Sequence, residues 1–534
     1  MRMDVRINPA LREEYYRRGW WTERNLLDCW DEAVRLYGER EYVSDDKGCR
    51  MTYRETDEQA ARLAAWLRAQ GVGPGDTVAL MLPNWAEYCA AYVACLKAGV
   101  TIHLLYRGTA PDELADLLTR SEAAALFCPT FFYKTDYEAL LDPLRRQVKT
   151  LRCIALFDAL RAPKTAYPAY SQIQREFAPL QTPAPHADAD GVAVLMNTSG
   201  TTSRPKIVML THNNILFSER MFNCELGVMQ EDVMFMPSPL HHATGFHHGL
   251  IAPMLAGARV VLQQRFECAQ ALEMIRRERC TYSMGSTPFI YDMLGALEKE
   301  NGRLPSLRFY LCGGAHVPQS IVERGKALDI PVCEVYGSTE SVPHVFVRPD
   351  EASVLDGASS GRPIEGVEVR VVDEAGRDVP PGVQGEELSR GPNVFVGYLK
   401  NPEATRTAIG EDGFYASGDL CVADGKGNIK ITGRKKEILV RGGENLSLHR
   451  IEDALEGCGA VADCAVSGWP DERLGERICA YIVPRSGAEG LTLSELQADL
   501  RARGVPKYLW PERIELREKI PRTPTGKVQR YLLR

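Results

Sequence analysis

An α/β protein with parallel strands, followed by a small antiparallel β unit and a mixed helix-and-strand segment, is predicted from three features of the sequence. Short β-branched runs alternate with helical patterns over most of the chain. From 361 to 431 the pattern changes to brief strands separated by turn signals (VEVRVVDEAG, PPGVQGEELSRG, DGKGNIKITG). The residues beyond 431 mix both periods.

The first clear pair is VALMLP at 78–83, a buried strand pattern, and the amphipathic pattern at 84–98, which ends at Gly99. A Pro- and Ala-rich stretch at 163–185 carries five prolines and reads as a surface connection. It precedes a second buried strand, VAVLM at 192–196. Residues 501–534 hold ten Arg or Lys against three Glu, which reads either as a solvated basic face or as a cationic lid over a polyanionic ligand. No internal repeat is visible.

With 534 residues the chain has length for about three to four folding units. Its 45% hydrophobic and 25% charged residues supply a large core and exclude disorder. A net charge of −7 has the wrong sign for a main partner that is nucleic acid or an anionic membrane. The 15 cysteines include no CxxC pair, which fits a reducing cytoplasm better than a disulfide framework. The charged N-terminus has no signal-like apolar region. The apolar run at 88–100 is interrupted by Lys97 and too short to span a bilayer. A cytoplasmic protein without a transmembrane segment is expected, with peripheral membrane contact left open.

Chemistry first shows after VAVLM, where Asn197 leads into Thr198, Ser199, Gly200, Thr201, Thr202, Ser203, Arg204, Pro205 and Lys206. Hydroxyls, backbone N–H groups and a lysine suit a phosphate, although the Walker A spacing is absent and an apolar run, IVML, follows Lys206. Further stretches follow in order: Cys312-Gly-Gly-Ala-His316, Tyr336-Gly-Ser-Thr-Glu340, Tyr415-Ala-Ser-Gly-Asp419, Thr432-Gly-Arg-Lys-Lys-Glu437 with Arg441-Gly-Gly-Glu-Asn445, and Pro521-Arg-Thr-Pro-Thr-Gly-Lys527.

With these motifs the sequence resembles the adenylate-forming superfamily of acyl-CoA synthetases, non-ribosomal adenylation domains and beetle luciferases. Through PLHHATGFHHG, GSTPFIYDML, FYLCGG and YGSTESVPH it looks most like bacterial short- and medium-chain fatty acid:CoA ligases, cyclohexanecarboxylate ligases included. The resemblance implies two stacked α/β subdomains and a small β-barrel (about 361–431) in a core of 1–433. A hinge at 434–436 and a mobile α+β domain at 437–534 would follow. It implies ATP, Mg²⁺ and CoA as cofactor and co-substrates. A carboxylic acid would be activated as acyl-AMP with release of pyrophosphate, then passed to CoA.

Residue by residue, the resemblance makes Lys527 the adenylation lysine, and Thr198 and Glu340 the metal neighbours. Nucleotide binding falls to Ser199, Gly200, Thr201, Thr202, Lys206, Thr339, Gly337, the adenine-flanking Gly314, Ala315, His316 and Tyr336, and Asp419 and Arg434 at the ribose. Lys436 becomes the hinge, Gly442 and Gly443 the CoA tunnel, and His242 the group facing the acyl carboxylate. An acyl pocket past Gly337 would be walled by Met284, Gly285 and Val345, with glycine at 337 leaving the passage unblocked.

Ser203 and Ile207 stand where the family has glycines, which would strain the loop if either required positive φ. Such strain motivates a nucleotide- or acyl-binding pseudoenzyme as a rival reading, and a carrier-protein thiol as acceptor is the rival within enzymes. The cluster His241, His242, His247 and His248 lacks a neighbouring Cys or carboxylate in sequence and is not read as a metal site. Gly357-Ala-Ser-Ser-Gly361 matches a nucleophile elbow in letters, but its flanks are a polar segment and Arg362-Pro363.

Overall fold

The computed structural model describes residues 3–533 except 4, 183, 199–204, 315–316, 356, 442–443, 472–474 and 524–526. Two largely parallel sheets organise the chain up to residue 363. The six-stranded sheet runs Ile207–Thr211, Val192–Asn197, Thr101–Leu104, Thr77–Leu80, Ala123–Pro129, Cys153–Phe157 in spatial order. All its pairings are parallel except the first. The nine-stranded sheet has a parallel centre, Val332–Tyr336, Phe309–Gly313, Tyr282–Gly285, Val233–Met236, Arg259–Leu262 and Glu41–Asp45, with short antiparallel strands at its edges. Strands such as Ala123–Pro129 and Cys153–Phe157 are buried at every residue, as a parallel sheet covered on both faces requires.

The helix expected at 84–98 is Ala86–Ala98, closed by Gly99 in the left-handed region (φ 69°), but it is not amphipathic. Nearly every residue in it is buried, because it lies between the two sheets and packs against Glu41–Asp45 of one and Thr77–Leu80 and Thr101–Leu104 of the other. The interruption by Lys97 is accommodated by its ion pair to Asp57 at 2.7 Å. No helix among the described residues is long and apolar enough to cross a membrane. The Pro-rich connection is less irregular than its composition suggests: it contains the helix Tyr170–Glu176, anchored by the buried Tyr170 and Ile173.

Past residue 363 come the four antiparallel strands Glu368–Val372, Gln384–Arg390, Tyr415–Ala423 and Ile429–Arg434, in that spatial order. The C-terminal part builds a five-stranded sheet around the long pair Val461–Asp471 and Gly475–Pro484. Leu439, Ile451, Leu455, Ile478, Leu496 and Leu500 form an apolar cluster of its own beneath that sheet. Its basic segment is neutralised in part, since Arg503, Arg513, Arg517, Arg522 and Arg530 each meet a carboxylate. A uniformly cationic lid is therefore not what the ten basic residues make.

The G-x-S-x-G match has the opposite context to a nucleophile elbow: the short helix Ala352–Leu355 precedes it and the strand Arg362–Pro363 follows. Its last glycine has a purely structural reason. Gly361 has φ 96°, and a Cβ there would lie 2.1 Å from the carbonyl carbon of Phe346. Gly361→Ala is expected to destabilise the protein by roughly 3 kcal/mol, measured as a lower midpoint in denaturant unfolding; an unchanged midpoint would mean that the 346–361 backbones separate freely.

A charge cluster ties the start of the C-terminal part to its end. His449 lies 3.0 Å from Glu437 and 3.2 Å from Glu452, and Glu452 also pairs with Arg530 at 2.5 Å. Burial alone would lower the His449 pKa, but hydrogen bonds to both carboxylates raise it to about 10. Burial likewise opposes ionisation of Glu437 and Glu452, yet His449 and Arg530 bring both down to about 2. The raised imidazole contributes its full stability below the ordinary histidine value of 6.5 and loses it as pH rises through about 10. The depressed carboxylates contribute above their ordinary 4.5 and lose that as pH falls toward about 2. His449→Gln should therefore lower unfolding stability by roughly 2 kcal/mol near pH 6, with the deficit shrinking toward pH 10. A deficit independent of pH in denaturant titrations would refute the charge-based account.

Candidate functional site

A cavity of about 1930 Å³ opens where the nine-stranded sheet, the four-stranded sheet and the C-terminal part meet. Thr198, Lys206, Gly314, Tyr336, Gly337, Thr339, Glu340, Asp419, Arg434 and Lys527 all line it. Stretches far apart in sequence are brought together because parallel strands release their loops at one edge: Tyr336 is the last residue of Val332–Tyr336, and Gly313 ends the neighbouring strand. Gly314 has φ 83° with open space around it, as the turn leaving that strand needs. Ser199, Gly200, Thr201, Thr202, Ser203, Ala315, His316, Gly442 and Gly443 lie outside the described residues.

The hydroxyl-rich loop begins at Thr198, whose N–H donates to the Lys206 carbonyl at 3.0 Å. Ile207 then opens a strand, buried and paired with Asn197, and its φ is not positive. The strain anticipated for a β-branched residue there does not arise. Lys206 holds its ammonium 4.5 Å over the Tyr398 ring, and the Tyr398 hydroxyl donates to Glu340 Oε1 at 2.9 Å. Tyr398 thus orients both a predicted phosphate ligand and a predicted metal neighbour. Sequence reading passed over it because nothing in GYLKN marks a tyrosine as polar-facing.

Asp419 is buried within Tyr415–Ala423, just before the register shift between Leu420 and Cys421. Burial raises its pKa, opposed by the Arg434 guanidinium at 2.8 Å and by the Tyr336 hydroxyl, which donates at 2.9 Å. The Tyr336 ring is 9% exposed and packs on Val345, Val371, Cys421 and Ile429 while still bordering the cavity. Glu387 and His344 stand behind it, fully buried, and neither was singled out in the sequence.

Lys527 enters from the C-terminal part. Burial and Arg434 lower its pKa, while Asp419, Glu340 and Glu437 raise it. The lysine of the last motif and the carboxylates that end the YGSTE, YASGD and TGRKKE motifs are therefore electrostatic neighbours in one site. Lys436 lies within the 3₁₀ turn Lys435–Glu437, between Ile429–Arg434 and Ile438–Arg441.

His242 does not line the cavity, but it is partly buried, and burial followed by the Lys527 charge pushes its pKa down to about 3. Its Nδ1 accepts the Thr244 N–H at 3.3 Å, so the neutral ring carries its hydrogen on Nε2. His247 and His248 do have a carboxylate neighbour: Glu219, from His212–Leu226, is fully buried with its oxygens 3.8 and 2.9 Å from their Nδ1 atoms. Even so, no group of three or more His, Cys, Asp or Glu among the described residues is arranged to hold a metal ion.

The acyl-pocket residues divide. Met284 is in the main core, and a Cβ at Gly285 would come 2.3 Å from the Tyr310 hydroxyl. Val345 is not beside them, because it pairs with Tyr336 on the face turned to the four-stranded sheet. Gly337 does border the cavity, but its lack of a side chain has another cause: a Cβ would lie 2.5 Å from Pro343 Cα. Close backbone approach demands glycine there, so an unblocked acyl passage is not needed to explain it.

The motif order and this geometry agree with comparisons to known proteins. The AMP-binding enzyme family matches residues 30–399, and the AMP-binding enzyme C-terminal domain matches residues 450–527. The medium-chain fatty-acid–CoA ligase of Escherichia coli (strain K12) is 43% identical over 534 residues, covering 100% of this chain and 94% of the relative. An o-succinylbenzoate CoA synthetase from Bacillus subtilis, solved with its acyl-adenylate intermediate, superposes with TM-score 0.82 at 28% identity over 96% of this chain and 98% of that one. An anthranilate CoA ligase solved with anthranoyl-AMP shares the fold at TM-score 0.88 over 96% of each chain. Matched across most of its length in both parts, the chain belongs to the AMP-binding enzyme family.

Proposed function

We propose that the protein is an ATP-dependent acyl-CoA ligase acting on a short- or medium-chain fatty or alicyclic carboxylic acid. The observation that carries this reading is the convergence of Lys527, Glu340 and Asp419 on one cavity from separate parts of the fold. The full-length relative named for medium-chain fatty acids gives the acid class its support.

In the first half-reaction a carboxylate oxygen attacks the α-phosphorus of ATP and pyrophosphate leaves, giving acyl-AMP. Two anions must meet, so cationic charge is needed where negative charge builds on the phosphoryl oxygens. The Lys527 ammonium supplies it. Lys206 and the hydroxyl loop at 198–202 hold the departing phosphates, Asp419 accepts the ribose hydroxyls beside Arg434, and the backbone at Gly314, Ala315 and His316 borders adenine with Tyr336. Neutral His242, with its Nε2–H, can donate to the acyl carboxylate without repelling Lys527.

Thr198 and Glu340 fit Mg²⁺, being oxygen donors that both line the cavity, with the Tyr398 hydroxyl bonded to Glu340 Oε1 and not to Oε2. When bound there, the ion would supply charge neutralisation to the triphosphate. In the second half-reaction the CoA sulfur attacks the acyl carbon and AMP leaves. Rotation of 437–534 about Lys436 would then exchange Lys527 for the loop at Gly442 and Gly443. The unstrained Ile207 removes one of the two grounds for a pseudoenzyme, the other being Ser203, which lies outside the described residues.

The test is AMP and pyrophosphate release with a panel of acids from acetate to dodecanoate and cyclohexanecarboxylate, with ATP and CoA. Thioester formation that needs CoA alone is expected, whereas release only with an added carrier protein would favour the other thiol. Lys527→Ala should lower acid-dependent pyrophosphate exchange about 10²–10³-fold while sparing CoA ester formation from supplied acyl-AMP. Equal loss of both half-reactions would contradict this division of labour.

A further inference from the structure

Behind the ribose carboxylate runs a buried chain of four titratable groups, Asp419, Tyr336, Glu387 and His344. The Tyr336 hydroxyl oxygen is 2.9 Å from Asp419 Oδ2 and 3.1 Å from Glu387 Oε2. Glu387 Oε1 is 3.4 Å from His344 Nε2, and His344 Nδ1 is 2.9 Å from the Val342 carbonyl oxygen. His344 and Glu387 are both 0% exposed, so neither can settle its charge against water.

Counting hydrogens along this chain constrains its state. A carbonyl only accepts, so His344 Nδ1 must carry a hydrogen. If Nε2 carried none and Glu387 were ionised, a ring lone pair would face a carboxylate lone pair. Two buried negative charges, Glu387 and Asp419, would then flank one tyrosine that has a single hydrogen to give. One proton between Nε2 and Oε1 removes both conflicts, as imidazolium–carboxylate or as imidazole–carboxylic acid. The other neighbours do not supply that charge. Arg434 is paired with Asp419, Lys527 acts on Asp419, and the Cys421 thiol is a neutral group pushed up by burial. Ser417 uses its hydroxyl hydrogen on the Glu387 backbone carbonyl at 2.9 Å. Among the described residues, His344 is the one basic side chain in contact with the Glu387 carboxylate.

We propose that His344 and Glu387 share a single proton as an electrically neutral pair, making His344 a positioning residue that leaves Asp419 the only carboxylate charge presented to the nucleotide ribose. The proposal deepens the assignment of Asp419 to the ribose and rests on it. The resemblance assigns no role to Glu387 or to His344, the last residue of YGSTESVPH, and neither lines the cavity.

The experiment is AMP binding by calorimetry between pH 6 and 8.5 for the full-length protein and its variants. Wild type is expected to bind AMP with little pH dependence. His344→Ala leaves Glu387 an uncompensated charge beside Asp419 and should weaken AMP about tenfold or more at pH 8, with a smaller loss at pH 6. Glu387→Gln keeps the shape of the protonated pair, its amide donating to His344 Nε2 and its oxygen accepting from Tyr336, and should bind within about threefold of wild type. The double variant His344→Ala/Glu387→Gln should recover most of the loss and lose the pH slope.

A His344→Ala deficit that is flat with pH and persists in the double variant would overturn the shared proton, as would a Glu387→Gln loss as large as that of His344→Ala. Should His344→Ala fail to fold, Glu387→Gln alone decides. Absence of AMP binding by the wild type would instead overturn the ribose assignment of Asp419, which keeps the two failures distinct.

Discussion

Placement of the partly buried Lys527 ammonium in the electrostatic field of Asp419, Glu340 and Glu437 is the interaction on which the rest of the site depends. A lysine partly shielded from water is favoured by compensating charge, and these three groups come from the four-stranded sheet, the nine-stranded sheet's exit loop and the turn leading into the C-terminal part. The last motif of the sequence is thereby brought into the field of three others, those ending in Glu340, Asp419 and Glu437. Arg434 works against Lys527 while pairing with Asp419, so the arrangement is a balance of like and unlike charges rather than a simple ion pair. Such a balance would suit the role proposed for Lys527, that of a group meeting a triphosphate.

That balance also explains why the C-terminal part carries its own core and its own charge cluster. Leu439, Ile451, Ile478 and Leu496 give it internal cohesion, and Glu437, His449, Glu452 and Arg530 clamp its first turn to its last helix-like turn. A unit with independent cohesion can change its placement without unfolding, which is what two half-reactions at one site would require. Lys436 lies next to Glu437 of the clamp and two residues after Arg434, so a backbone rotation at the proposed hinge would separate the two groups of contacts.

Much of this was legible in the sequence, because the motifs are contiguous and their order is collinear with the strands that display them. Tyr336, Asp419, Arg434, Glu340 and Lys527 all reach the cavity expected of them. What escaped was set by approach between distant backbones or by pairing across sheets. Gly337 looked like an open passage, yet its glycine answers to Pro343, and Val345 turned to the face opposite Met284 because it is the antiparallel partner of Tyr336. His247 and His248 looked carboxylate-free until Glu219 arrived from a helix almost thirty residues earlier (|i−j| = 29 for His248). The Ala86–Ala98 helix read as amphipathic, since only the second sheet could reveal that its polar side was also covered.

The central claim is that Lys527 sits partly buried and charged in the field of these carboxylates before any substrate arrives. Competitive amine labelling of the substrate-free protein across pH, read by mass spectrometry at each lysine, measures this directly. The account predicts that Lys527 is labelled slowly, is shielded further by AMP, and titrates below the ordinary lysine value of 10.5. Rapid labelling at Lys527 with an ordinary titration midpoint and no shielding by AMP would contradict it.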